Sequence, residues 1–183
     1  MKVFWSSLLC LISLNSVQLT QASVNITLPL VTGEWAPYTG AALYKKGVFS
    51  EMVTAAFKEV GIDTRYQFYP WKRAELNLKQ GTAFAAIPYI KTPERSASYY
   101  FSDPITTAKF AIFYRKEDFP TGLNYQRFNE LSRYKIGGVL GYWYEKPFAH
   151  AKLNIEYFSS DEQLFVMLYN RRVQLAASAE LVG

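Results

Sequence analysis

Cysteine is almost missing from this 183-residue chain: Cys10 is the only one, and His150 is the only histidine. One thiol cannot form an internal disulfide, one imidazole without thiols around it falls short of the usual ligand set of a zinc site, and a catalytic triad at His150 would need partners that the sequence around it does not mark. Blocks of like charge are missing too. The pairs Lys45-Lys46, Lys72-Arg73 and Arg171-Arg172 stand apart and read as solvated faces, so no nucleic-acid partner is expected. The one apolar run, Val3 to Leu14, is short: about twelve residues at roughly 1.5 Å rise cover about 18 Å of a hydrocarbon core near 30 Å. Gly137, Gly138 and Gly141 lack the spacing of a dinucleotide loop, and Ser178, within Ala-Ala-Ser-Ala, lacks the flanking glycines of a hydrolase elbow. Asn25-Ile-Thr27 matches a glycosylation triplet but falls in a predicted buried strand.

What is present begins with a leader. Lys2, the apolar run and Thr20-Gln-Ala22 have the layout of a secretory signal peptide cleaved after Ala22. Cys10 lies inside it after Leu9, which argues against a lipoprotein anchor, and the mature chain then carries no thiol. Loss of Lys2 lowers the formal net charge from +5 to +4. Half of the residues are hydrophobic and 17% are aromatic, so rings are numerous enough both to fill a core and to line a site.

Strand and helix periods alternate after the leader. Val24 to Val31 reads as a buried strand, followed by a loop with Trp35, Pro37, Tyr38 and Gly40. Val48, Met52, Val53, Ala56, Phe57 and Val60 recur at helical spacing before Gly61. A strand at 64–69, a helix from Trp71 to Gln80 ended by Gly81 and a strand at 83–87 complete a β-α-β-α-β unit. Ile105 to Arg115 is extended and apolar, a crossover, and Asp118 to Gly122 breaks it. A second α/β unit follows, with strands at 135–140, 154–158 and 173–177 and helices at 145–151 and 161–171. Ser160 and Gln163 form a capping-box pair for the last helix, whose predicted inward face is Leu164, Phe165, Leu168 and Tyr169.

The most specific local signal is the run from Ile87 to Arg95, a strand end turning into a helix start. Thr92 suits the cap and Pro93 the first position, while Arg95 adds a guanidinium able to hold a carboxylate by two parallel hydrogen bonds. Ligands in open parallel sheets bind beyond the carboxyl ends of strands, which here means residues 34–38, 69–71, 88–95 and 141–143. The alternatives are plain: Arg95 could pair with Glu94 or Asp103 on the surface, and Trp71 could pack beneath its helix with Ala74 and Leu78. His150 reads as a surface or capping residue.

Gly47-Val-Phe-Ser-Glu-Met52, Trp71, Gly81, Thr92-Pro-Glu-Arg95 and Phe101-Ser-Asp-Pro104, in that order, resemble the family 3 bacterial extracellular solute-binding proteins. The resemblance implies a two-lobed α/β fold of the type II periplasmic binding-protein class: signal peptide 1–22, first lobe 23–104, crossover and hinge 105–115, and an incomplete second lobe 116–183. It implies a monomer exported to the periplasm that captures a small solute for an inner-membrane ABC permease, with no catalysis and no cofactor. It places Arg95 on the ligand carboxylate, with Tyr38 and Trp71 flanking the ligand, and Trp35, Tyr89, Tyr142, Trp143 and Glu180 completing the expected contacts.

Where the resembled family receives an ammonium, this chain has Pro88 and Ile90 before the Thr-Pro-Glu-Arg run, Ala179 followed by Glu180, and Gly141-Tyr142-Trp143. Either Glu180 takes the ammonium or the ligand is a carboxylate with an apolar or planar body. The chain ends where the resembled fold returns to its first lobe, so a truncated product is expected. Two other readings stand beside the receptor: a sensory ligand-binding module, and a dehydratase of prephenate-like substrates with Glu180 or Glu34 as its acid.

Overall fold

The computed structural model describes residues 26–183, so the expected leader and Cys10 lie outside the described residues. Strands β1 (Ile26–Thr32) and β2 (Ile62–Phe68) pair in parallel over their whole length, Ile26 opposite Ile62 and Thr32 opposite Phe68. The β-branched and aromatic residues of this pair favour a pleated, half-buried surface. Between them runs helix α1 (Val48–Glu59), and after β2 comes α2 (Trp71–Lys79), ended through Gln80 and Gly81 at φ +72°, a left-handed turn that glycine enters without steric cost. Strand β3 is reduced to Ala85–Ala86, paired with Leu30 and Val31, so the first sheet has the order β2-β1-β3.

The expected strand at 83–87 is longer than the one observed because β3 has β1 as its only neighbour. Its hydrogen bonds nevertheless run on: the Phe84 amide donates to Pro29 O at 2.8 Å and the Ile87 amide to Val31 O at 2.9 Å. The apolar face of α1 is likewise narrower than its spacing predicts. Val53 and Phe49 are buried and Phe57 is half-buried, but Val48, Met52 and Val60 are exposed. Three strands are too narrow to cover the full stripe.

Thr92 caps the short helix α3 (Pro93–Ser96), its Oγ1 accepting from the Arg95 amide at 3.3 Å, with Pro93 at the first position as expected. The chain then runs without regular structure through residues 104–109 into β4 (Phe110–Tyr114). The second half of the predicted crossover is therefore a strand of the second sheet. That sheet also contains β5 (Lys135–Val139), β6 (Asn154–Phe158) and β7 (Leu175–Ala179), in the order β4-β7-β5-β6, with α4 (Glu145–His150) and α5 (Asp161–Tyr169) between its strands.

Strand β7 lies two residues later than its expected span. Antiparallel pairing with β4, Phe110 opposite Ala179 and Tyr114 opposite Leu175, sets that register, and only the folded chain brings the two together. The Ser160 cap of α5 holds, its Oγ accepting from the Gln163 amide at 3.2 Å. The Gln163 side chain reaches back to the Ser159 amide instead of that of Ser160. Leu164 and Leu168 face inward, whereas Tyr169 is exposed, because α5 covers the sheet along a narrow stripe only.

Candidate functional site: an aromatic cleft between the lobes

Four segments meet where the carboxyl ends of the parallel strands of the two sheets face each other: the loop after β1 with Trp35, the start of α2 with Trp71, the turn from Pro88 to Arg95, and the loop after β5 with Gly141, Tyr142 and Trp143. With Phe110 of β4 they line one cavity. Trp71 is the pivot of the first-lobe wall. Its ring stands edge-on to Trp35 at 6.4 Å and to Tyr89 at 5.6 Å, and across the cleft to Tyr142 at 6.1 Å. Ala74, its helix neighbour, packs in a different cluster with Val31 and Ala83. Trp71 thus belongs to the cleft cluster and not to the underside of α2. The space left for the centres of water-sized groups is about 40 Å³.

Arg95 has little solvent around it, with 11% of its side chain exposed, and it bridges the lobes. Its Nη2 donates to Gly141 O of the second lobe at 2.7 Å and its Nη1 to Ile90 O at 3.1 Å, while the guanidinium lies over the Tyr89 ring at 4.8 Å. The nearest carboxylate is neither Glu94 nor Asp103 but Glu75, whose Oε2 lies 3.8 Å from Nη2, too far for a hydrogen bond. A guanidinium has five N–H donors, so these two bonds leave three for a ligand. Burial and the neighbouring Glu75 raise the Tyr89 phenol above its ordinary range, so it stays protonated and donates to Trp71 O at 2.8 Å.

The indole N–H groups of Trp35 and Trp143, two of the residues that line the cavity, are buried without a protein acceptor, a situation that costs about 1–3 kcal/mol per group. Among the described residues, no carboxyl group lines the cavity. Glu34 is exposed and accepts from the Ala41 amide; Glu180 is exposed, and its amide donates to Lys109 O. Tyr38 sits behind the lining, 4.4 Å from the Trp35 ring and 4.9 Å from Phe49. Of the residues read from the sequence, Arg95, Trp71, Trp35, Tyr89, Tyr142 and Trp143 come together, while Tyr38 supports from outside and Glu180 lies away. His150 is exposed at the end of α4.

Sequence reasoning missed Asp161. This first residue of α5 is buried and accepts from the Tyr142 hydroxyl through Oδ2 and from the Ser178 hydroxyl through Oδ1. Burial raises its carboxyl above the ordinary aspartate range, against the opposing pull of those two donors. The Tyr142 phenol is raised in turn by burial and by Asp161 beside it. Nothing local marks Asp161 beyond an acidic helix start; its partners arrive from β7 and from the loop after β5. Phe110 was missed for a similar reason, since it read as crossover.

The lobes also touch around the rim. Lys72 pairs with Glu145 at 3.1 Å and Glu94 with Lys146 at 3.0 Å, and the latter partner holds the Glu94 carboxyl down at about 2. Gly141 lies so close to the first lobe that a Cβ there would stand 2.8 Å from Trp71 Cβ and 3.0 Å from the Lys72 amide nitrogen. Its φ of +95° independently favours glycine.

No protein-family model and no curated protein sequence matches the chain. Solved structures do. The substrate-binding protein AbpA of an amino acid ABC transporter from Streptococcus pneumoniae, bound to L-arginine, superposes with a TM-score of 0.73 at 22% identity, covering 85% of this chain and 68% of that one. The ancestral amino-acid-binding protein AncCDT-1, a precursor of cyclohexadienyl dehydratase, gives 0.71 at 22% identity over 85% and 71% of the two chains. The GluR0 ligand-binding core from Nostoc punctiforme in complex with L-glutamate gives 0.71 at 17% over 85% and 70%. At such identities the likeness establishes the fold: two α/β lobes of the type II periplasmic binding-protein kind.

Proposed function

We propose that this protein is a solute receptor of the bacterial periplasm that closes its lobes over a small carboxylate-bearing solute and presents it to an ABC importer. The observation that carries the reading is Arg95: a shielded guanidinium at a strand-to-helix turn, tethered to the opposite lobe, with donors to spare and no acid within hydrogen-bonding distance. Closure and binding are then one event, since the carboxylate and Gly141 O draw on the same guanidinium from two sides. The transport role leans on the shared fold and on the amino acid transporter whose binding protein superposes here. Hinge motion belongs to the irregular stretch at 104–109.

The ligand class follows from the lining. An amino-acid ammonium shut into this cavity would meet no carboxylate, and the Tyr89 ring face that could receive a cation already carries Arg95. The fitting solute is a carboxylate with an apolar or planar body; the cavity of about 40 Å³ is too small for it as it stands, so the lobes must part to seat it among Trp35, Trp71 and Tyr142. A dehydratase would need an acid in the cleft, and neither Glu34 nor Glu180 lines it.

Calorimetry on the full chain with a panel of aromatic and aliphatic acids and of polar amino acids tests this. An acid of the first kind should bind best, and Arg95→Ala should weaken it by about 2–5 kcal/mol, the usual loss when a buried charge partner is truncated. Unchanged affinity in Arg95→Ala, or preference for polar amino acids, would remove the reading.

A further inference from the structure

Among the described residues Asp161 is the one buried carboxylate, 6% exposed, and it lies directly behind a residue of the cleft wall. Buried carboxylates are normally matched by a cation. Here both oxygens are taken by neutral donors: Oδ2 accepts from the Tyr142 hydroxyl and Oδ1 from the Ser178 hydroxyl of β7. Burial raises this carboxyl, and the groups that pull it down are Ser178, Tyr142 and its own backbone, with no Lys or Arg of the described residues among them. The other acids beside the cleft already face cations, Glu75 toward Arg95 and Glu145 toward Lys72.

The Tyr142 ring fills the distance between the cleft and Asp161. It meets Trp71 across the lobes at 6.1 Å and Phe110 at 6.3 Å, both cleft residues, while the hydroxyl at its far end is spent on Oδ2. One side chain thus supplies an aromatic wall and withholds an acid from the space in front of it. Cut back to its Cβ, it would leave Oδ2 without its donor and open toward the cleft.

We propose that Tyr142 is the specificity-determining residue of the cleft, with Asp161 as its positioning residue: by capping the Asp161 carboxylate with its hydroxyl, Tyr142 bars solutes that carry an ammonium and leaves the site to carboxylates that lack one. The inference rests on the carboxylate reading of the cleft and names the pair that enforces it. An ammonium reaching Oδ2 would make a charge-assisted bond, stronger than the one the phenol makes.

Two probes with one skeleton, 3-phenylpropionate and L-phenylalanine, differ only in the ammonium, and the ratio of their affinities for the full chain is read by calorimetry near neutral pH. Tyr142→Ala gives both probes the same extra room, so a change in the ratio reports charge. It should move toward phenylalanine by about ten- to a hundredfold, the range of a hydrogen bond to a charged group. Adding Asp161→Asn to that variant keeps the room and removes the charge, and the ratio should return. Asp161→Asn alone should move both affinities by the same factor, because neither probe reaches it past the ring; if Tyr142→Ala fails to fold, this arm decides. A ratio unmoved in Tyr142→Ala, a shift that survives in the double variant, a selective loss of phenylalanine in Asp161→Asn alone, or no binding of either probe to any variant would each overturn the proposal. Failure of 3-phenylpropionate to bind the unaltered chain would count against the carboxylate reading, while a gain of phenylalanine that requires Asp161 would still uphold the role of Tyr142.

Discussion

On β1 of the first lobe the buried residues are Leu30, Val31 and Thr32, at the end that feeds the cleft; on β7 of the second lobe all five residues are buried. The first sheet has three strands, one of them two residues long, and the second has four. Yet the charged chemistry, Arg95 with Tyr89 and Glu75, sits on the thinner lobe. What compensates is the shared aromatic cluster, in which Trp35, Phe49 and Trp71 of the first lobe join Val139, Phe158 and Leu164 of the second. The first lobe borrows part of its core from the second, and the site lies where it borrows.

That contrast can be broken most strongly by matched core truncations. Leu30→Ala in the first lobe and Ile136→Ala in the second both remove a side chain with no solvent exposure, each at a cost of about 2–5 kcal/mol. If the first lobe is the weaker partner, Leu30→Ala should split the denaturant transition, with hydrogen exchange rising in β1 and β2 first; a single unchanged transition would mean the lobes unfold as one. Next in size is Gly141→Ala. Its Cβ would press on Trp71 and on the α2 backbone while a non-glycine residue holds a positive φ, for about 1–3 kcal/mol of strain. Small-angle scattering should show a larger radius of gyration as the lobes are wedged apart.

Asp161 sharpens the comparison through pH. Its carboxyl is raised in the folded protein, so the native state holds a proton that the unfolded chain has released between the ordinary aspartate value and the raised one. Stability from this group is therefore present at low pH and declines as pH climbs through that window. Asp161→Asn should flatten the decline in thermal melts while keeping an acceptor for Tyr142, and an unaltered pH profile would count against the burial argument. Smallest of all is the rim pair Lys72–Glu145: Lys72→Ala should cost about 0.2–1 kcal/mol, vanishing in high salt, because both groups meet solvent.

The local parts of this fold were legible because local chemistry fixes them. Thr92 and Ser160 cap where they were expected to, β6 spans the predicted residues 154–158, and Arg95 lies in the cleft. Features that depend on a distant partner were not legible. The two-residue displacement of β7 comes from β4, the exposure of Met52 from the narrowness of a sheet, and the role of Asp161 from hydroxyls nineteen residues before it and seventeen after. The family resemblance offered Glu180, next to Ala179, as a receiver for an ammonium, but its backbone is tied to Lys109 and its side chain is left in solvent.

Trp35, Trp71 and Trp143, the three tryptophans among the described residues, all border the cavity between the lobes. Among the described residues, tryptophan emission therefore originates at the cleft that the proposed receptor would close. If the lobes part as the proposed receptor requires, all three indoles should be wetted together and dried together on closure, so the color and brightness of the native chain would report its position with no dye attached.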